Sequence, residues 1–210
     1  MKIQDDQFPF LFSGKFGDYY GRVVNGKQVI VKKRGPRKSE YTTRELTARR
    51  NFAIASQFLK HIVPIVQKYD EPGGRSGFHK AMSHILQNAI QGQHPDQRID
   101  FSQVILGKGI LPIPRTYHVA SPAKGLLELS WSSGMMKRKA SKSDKIFVAA
   151  YCEATHESKC EPFGSERRER KYLMDVSGFS GQRIEIYFGF VSPTGLLKST
   201  SIYAGPITLL

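Results

Sequence analysis

The sequence predicts an α+β protein. An N-terminal β-hairpin and a two-helix region occupy residues 1–98, and an antiparallel β-sandwich occupies residues 99–210. Three observations carry this. Asn25-Gly26 lies between two short runs of strand-forming residues. Two apolar stripes with helical spacing follow, separated by Glu71-Pro72-Gly73-Gly74. From about residue 100 the period becomes strand-like, interrupted by Gly, Pro and Ser clusters.

A chain of 210 residues is one long domain or two small ones. A hydrophobic fraction of 40% and a mean hydropathy of -0.38 predict a folded, soluble protein. No apolar run approaches the roughly 20 residues that cross a bilayer, so no membrane insertion is expected. The segment MKIQDDQFPFLFSG carries two acids and a proline where a signal peptide has an unbroken apolar core, which predicts a cytoplasmic protein. Two cysteines are too few for a secreted disulfide framework. The formal charge of +14 attracts polyanions, nucleic acid first and anionic surfaces second.

Residues 1–13 read as an arm. Phe8, Phe10, Leu11 and Phe12 have no helical period, and Pro9 excludes a regular central strand. Such a cluster packs on its own domain or on a neighbour, the latter giving a homo-oligomer or larger assembly. Residues 19–24 and 28–32 are strand formers joined through Asn25-Gly26, because a tight primed turn needs positive φ at both central residues. The second strand runs into Lys32, Lys33, Arg34, Gly35, Pro36, Arg37 and Lys38. Five cations this close repel one another and point either to water, where they block edge pairing, or to a polyanion. In the second case the cations hold phosphates, and Tyr19 and Tyr20 stack on bases.

Thr42 to Glu45 has the form of a capping box. The helix it opens carries Phe52, Ala55, Leu59, Ile62 and Val66 on one stripe, and Pro64 ends or kinks it. Arg44, Arg49 and Arg50 extend the basic surface into its first turns, where the helix dipole disfavours cations unless an anion is near. A second helix spans about 76–90, with Phe78, Ala81, Ile85 and Ala89 along one side. Strands are expected over 102–106, 116–119, 126–131, 146–152, 172–176, 183–191 and 200–209. Leu127, Leu129 and Trp131 share one face, as do Ile184, Ile186, Phe188 and Phe190. A Trp closing an early strand, a Val-containing strand and a long alternating strand after a Gly turn resemble, in spacing, the fibronectin type III pattern of the immunoglobulin-like sandwiches. Two further basic runs fall in loops: Lys137, Arg138, Lys139, Lys142 and Lys145, then Arg167, Arg168, Arg170 and Lys171.

Cys152-x3-His156-x3-Cys160 is the one metal-like spacing. It offers three ligands where structural zinc takes four, and it lacks a tight Cys-x2-Cys knuckle, so no metal is expected. No phosphate loop, nucleophile elbow or HExxH occurs, and the acids are dispersed. No cofactor and no catalytic residue are therefore assigned.

Short motifs across the chain resemble a functionally uncharacterised family of proteins of about 200 residues from Bacteroidota and some of their phages. They are Gly14-Lys15-x-Gly17, the hairpin leading to the basic segment, and the Thr-capped helix carrying Phe52. Further along come Gly107-Lys108-Gly109, Leu129-Ser130-Trp131, Tyr187-x-Gly189-Phe190 and Ser199-x-Ser201-Ile202-Tyr203-x-Gly205. Arg44-Glu45 departs from the glutamine-bearing helix start common in that family. The resemblance implies a phage-like or mobile-element origin and carries no activity.

The expectation is a non-enzymatic protein that binds nucleic acid or another polyanion with low sequence specificity. Its site would be Lys32, Lys33, Arg34, Arg37, Lys38, Arg44, Arg49 and Arg50, with Tyr19 and Tyr20 as stacking partners. The alternative is a self-assembling structural subunit of a virion or appendage, and an enzyme is third.

Overall fold

Alternating strand formers and two tight turns organise the first unit of the computed structural model, which describes residues 2–3, 13–24, 26–35, 40–132 and 140–210. The chain divides into two compact units, Met1–Thr42 and Thr43–Leu210. In the first, β1 (Lys2–Ile3), β2 (Gly14–Phe16), β3 (Tyr19–Val24) and β4 (Lys27–Lys32) form a sheet in the order β1-β4-β3-β2. The expected hairpin is β3–β4, with Val24 opposite Lys27 and Gly26 at φ 76 in the turn. A second hairpin precedes it. Phe16 pairs with Tyr19 across Gly17-Asp18, and Gly17 has φ 50, a left-handed conformation that glycine adopts without a Cβ clash. Asn25, Phe8, Phe10, Leu11 and Phe12 lie outside the described residues.

The second unit begins with α1 (Thr43–His61), which leaves Thr42 at the capping position. Pro64 then opens the short α2 (Val63–Val66), where its missing amide costs nothing. The buried line of α1 is Ala55, Phe58 and Leu59, which Ile62 just beyond its end completes as an i, i+3, i+4, i+7 stripe and Ile65 and Val66 continue. Phe52, expected on that stripe, is 55% exposed, because the first turns of α1 extend beyond the core of this unit. In α3 (Gly77–Asn88), the Ser76 side chain accepts from the His79 amide, and Ala81, Met82 and Ile85 are buried. The junction at residues 98–99 lies inside this unit. There β5 (Ile90–Gln91) pairs with β6 (Arg98–Ile99).

The strand expected over 102–106 is absent. Asp100 accepts hydrogen bonds from the Ser102 amide and hydroxyl (3.0 and 2.5 Å), which holds Phe101–Gln103 in a 3-10 turn. The remaining strands are β7 (Tyr117–Ala120), β8 (Leu126–Trp131), β9 (Lys145–Cys152), β10 (Glu157–Glu161), β11 (Lys171–Asp175), β12 (Arg183–Val191) and β13 (Ile202–Thr208). They form two antiparallel sheets, β11-β8-β7 and β10-β9-β12-β13. Of these strands, β10, ESKCE, was not expected from the sequence, and its charges suit an edge rather than a core; the short β1, β2, β5 and β6 were not expected either.

The two sheets pack through Leu127, Leu129, Trp131 and Met174 on one side and Ile146, Val148, Ile186, Phe188 and Phe190 on the other. Phe147, Ala149, Tyr151 and Tyr187 point from the opposite face of the four-stranded sheet into the helical core of Phe58, Leu59, Ile62 and Ile85. The unit is therefore three layers deep, with the four-stranded sheet in the middle. That is why β9 and β12 are buried on both faces and read as continuous apolar runs.

Candidate nucleic-acid interface

The register of the first sheet decides which of its side chains act together. Phe16, Tyr19 and Lys32 are cross-strand neighbours on one face, while Lys15, Tyr20 and Val31 lie on the other. The rings of Phe16 and Tyr19 stack at 6.0 Å and 27°, and both are exposed, at 46% and 41%. Lys33 is anchored: its amide donates to the Asp18 carbonyl (2.7 Å) and its Nζ donates to the Gly17 carbonyl (2.6 Å), which fixes its charge beside the turn that Phe16 enters. Arg34 is exposed. Arg37 and Lys38 lie outside the described residues. The sheet thus joins the ring pair with Lys32, directs Tyr20 to the other face, and holds Lys33 at the turn between Phe16 and Tyr19. Phe16 escaped the sequence reading, although the two-residue spacing Gly17-Asp18 between aromatic residues signals a hairpin that stacks them.

On α1, Arg44, Arg49 and Arg50 are all exposed. At about 100° per residue, Arg49 and Arg50 lie about 140° and 240° round the axis from Arg44, so the three do not form one face.

The two basic loops of the second unit do meet, but as architecture. Arg167 bridges Asp144 (Nε to Oδ2, 3.2 Å) with both side chains nearly buried, and burial pulls its guanidinium pKa down against the pull of Asp144. Arg167 also donates to the Pro112 carbonyl (2.9 Å) and lies 3.8 Å from the centre of the Phe190 ring. The Trp131 indole donates to the Arg167 carbonyl (3.0 Å). Arg168 pairs with Glu166 (2.7 Å) and Lys171 with Glu128 (2.8 Å). Lys137, Arg138 and Lys139 lie outside the described residues.

A cationic pocket of about 430 Å³ opens elsewhere in the second unit, lined by Arg75, Lys80, His84, Lys108 and Lys198. Glu71, also on the wall, neutralises Lys80 at 2.8 Å. His84 Nδ1 is buried without a hydrogen-bond partner, and burial together with Lys108 lowers its pKa below the usual histidine value. Such a set can hold a small anion. Sequence reasoning missed it because its cations come from three separate segments, around α3, Lys108 and Lys198.

Cys152 and Cys160 belong to different surfaces of the four-stranded sheet. Cys152 lies in the inter-sheet core with Sγ 2.6 Å from Gln182 Oε1, whereas Cys160 packs on the helical side near the His61 carbonyl. His156 sits at φ 55 with its Nδ1 3.1 Å from the Tyr151 hydroxyl. The three do not converge on one ion, and among the described residues no group of three His, Cys, Asp or Glu does. No helix among the described residues is long and apolar enough to cross a membrane.

Several of the later short motifs, those around Gly107, Tyr187 and Ser199 to Ser201, are tied together by hydrogen bonds. The Ser201 hydroxyl accepts from the Leu106 and Gly107 amides (2.8 and 3.4 Å), and the Ser199 hydroxyl accepts from the Phe190 amide (2.8 Å). The Tyr69 hydroxyl donates to the Ser199 carbonyl (2.7 Å), and the Tyr187 hydroxyl to the Phe101 carbonyl (2.8 Å). These bonds stitch the layers of this α+β unit together. The chain matches DUF6266, a family of unknown function, over residues 11–205, and it belongs to that family. No curated protein and no solved structure matches it.

Proposed function

We propose that this protein binds nucleic acid or a related polyanion, without catalysis and with little sequence preference, through the hairpin surface of residues 14–38. The observation that carries the reading is the exposed Phe16–Tyr19 stack beside Lys32 and the anchored Lys33. Stacked rings next to a cationic track are what single strands of any sequence recognise. Charge density supports it. Residues 1–42 hold nine Lys and Arg against four Asp and Glu, compared with 23 against 14 in residues 43–210. Arg34 is exposed just beyond Lys33, Arg37 and Lys38 follow it in the sequence, and Arg44, Arg49 and Arg50 add further exposed positive charge at the start of the second unit. Tyr20 binds nothing on the Phe16 face. The second unit is a scaffold whose three- and four-stranded sheet orders support a fibronectin type III-like reading, and the protein works in the cytoplasm or in a virion.

A second reading, a self-assembling subunit, draws on a different observation. Tyr20, Val23 and Val24 are also exposed on this small sheet, and apolar surface of that kind suits a second copy. One experiment separates the two. Protein purified from its natural source is weighed by mass photometry with and without nuclease. Polyanion binding predicts particles heavier than whole copies that lose mass to nuclease. Nuclease-resistant particles at integral multiples of one chain would favour assembly instead.

A further inference from the structure

Gln97 is only 6% exposed, yet neither its side-chain oxygen nor its nitrogen has a hydrogen-bond partner. An unpaired buried carboxamide is costly, so a side chain kept in this state is adapted to something that pairs with both atoms. Gln97 lines a pocket of about 240 Å³ in the second unit. The aromatic part of its wall is Phe58, Phe101 and Tyr151, and the ring centres of Phe101 and Tyr151 lie 5.8 Å apart. Arg50, Arg98 and Glu153 line it as well and are exposed. The pocket is smaller than the roughly 300–1,000 Å³ that receives drug-sized ligands, which leaves room for one ring system.

We propose that this pocket takes the base of a nucleotide, adenine best. A glutamine amide offers a donor and an acceptor at the spacing that pairs bidentately with the adenine N6 and N7 edge. Phe101 and Tyr151 supply apolar, aromatic contact for the ring. Glu153 accepts from an exocyclic amine, and Arg50 and Arg98 meet the phosphate at the mouth. The site belongs to residues 43–210 alone and stands whether or not residues 1–42 bind a polyanion.

The test uses the full chain and NMR titration with adenosine 5′-monophosphate, with ribose 5-phosphate and uridine 5′-monophosphate as comparisons. Saturable shifts confined to the pocket, stronger for the adenine nucleotide, are expected. Gln97→Leu should weaken that binding at least about fivefold, with a melting temperature no lower than that of the parent. Arg98→Ala, a change at an exposed position, should weaken the nucleotide but leave adenosine unchanged, and it serves if the Gln97 variant does not fold. Absence of shifts at millimolar nucleotide would overturn the proposal. So would equal binding of ribose 5-phosphate, or unchanged affinity in either variant, which would mean that water alone satisfies Gln97.

Discussion

A β-carbon on Gly107 would lie 2.3 Å from the ring of Tyr69, and one on Gly109 would lie 2.1 Å from the Lys198 carbonyl oxygen. Neither neighbour can yield cheaply, since the Tyr69 hydroxyl is bonded to Ser199 and the Lys198 oxygen accepts from the Leu111 amide. Gly107→Ala and Gly109→Ala should each cost about 1–3 kcal/mol by urea denaturation, the scale of overpacking a core. Gly178→Ala, which meets nothing within 4 Å, should stay within about 0.5 kcal/mol. Arg167 makes a second residue-scale prediction. Arg167→Met leaves Asp144 buried without its counter-charge, with the Ser141 amide (2.9 Å) still donating to the carboxylate. A loss of about 3–5 kcal/mol is expected in the same measurement, whereas a loss under 1 kcal/mol would show that the pair is dispensable.

Elements were legible in proportion to how far their burial follows one rule. The apolar runs of β9 and β12 announced themselves, because both faces are covered, and the stop at Pro64 followed from the missing amide. β10 was not legible, since an edge strand of Glu, Ser, Lys and Cys has no apolar period. Residues 102–106 were misread for the opposite reason. Val104 and Leu106 alternate and are buried, but Leu106 gives its amide to a serine hydroxyl rather than to a neighbouring strand. Phe52 fits its stripe in angle and still faces out, because periodicity says nothing about where the packing partner ends. The candidate site was legible as charge and not as geometry: Lys32 and Tyr19 were proposed from the sequence, while the pairing of Phe16 with Tyr19 and the opposite placement of Tyr20 needed the register. The layer order gives this scale its own prediction. Amides of β9 and β12 should exchange with solvent most slowly, near the global unfolding rate, and those of β10 and β13 faster. Slower exchange in either edge strand would contradict the central place of β9 and β12 within that sheet.

Over the whole molecule, two roles separate. Residues 43–210 form a three-layered body whose loop arginine Arg167 and motif glycines Gly107 and Gly109 are committed to its own packing, and residues 1–42 carry the denser positive charge. The proposed function requires the hairpin cations to meet phosphates. Its most direct test is the salt dependence of binding to a single-stranded oligonucleotide, followed by fluorescence anisotropy, for the parent chain and for a Lys32→Gln, Lys33→Gln, Arg34→Gln variant. Each neutralised phosphate contributes about 0.7 to the slope of log K against log salt on single strands, so the variant's slope should be shallower by about 2. An unchanged slope, or no binding by the parent chain at low salt, would contradict the account.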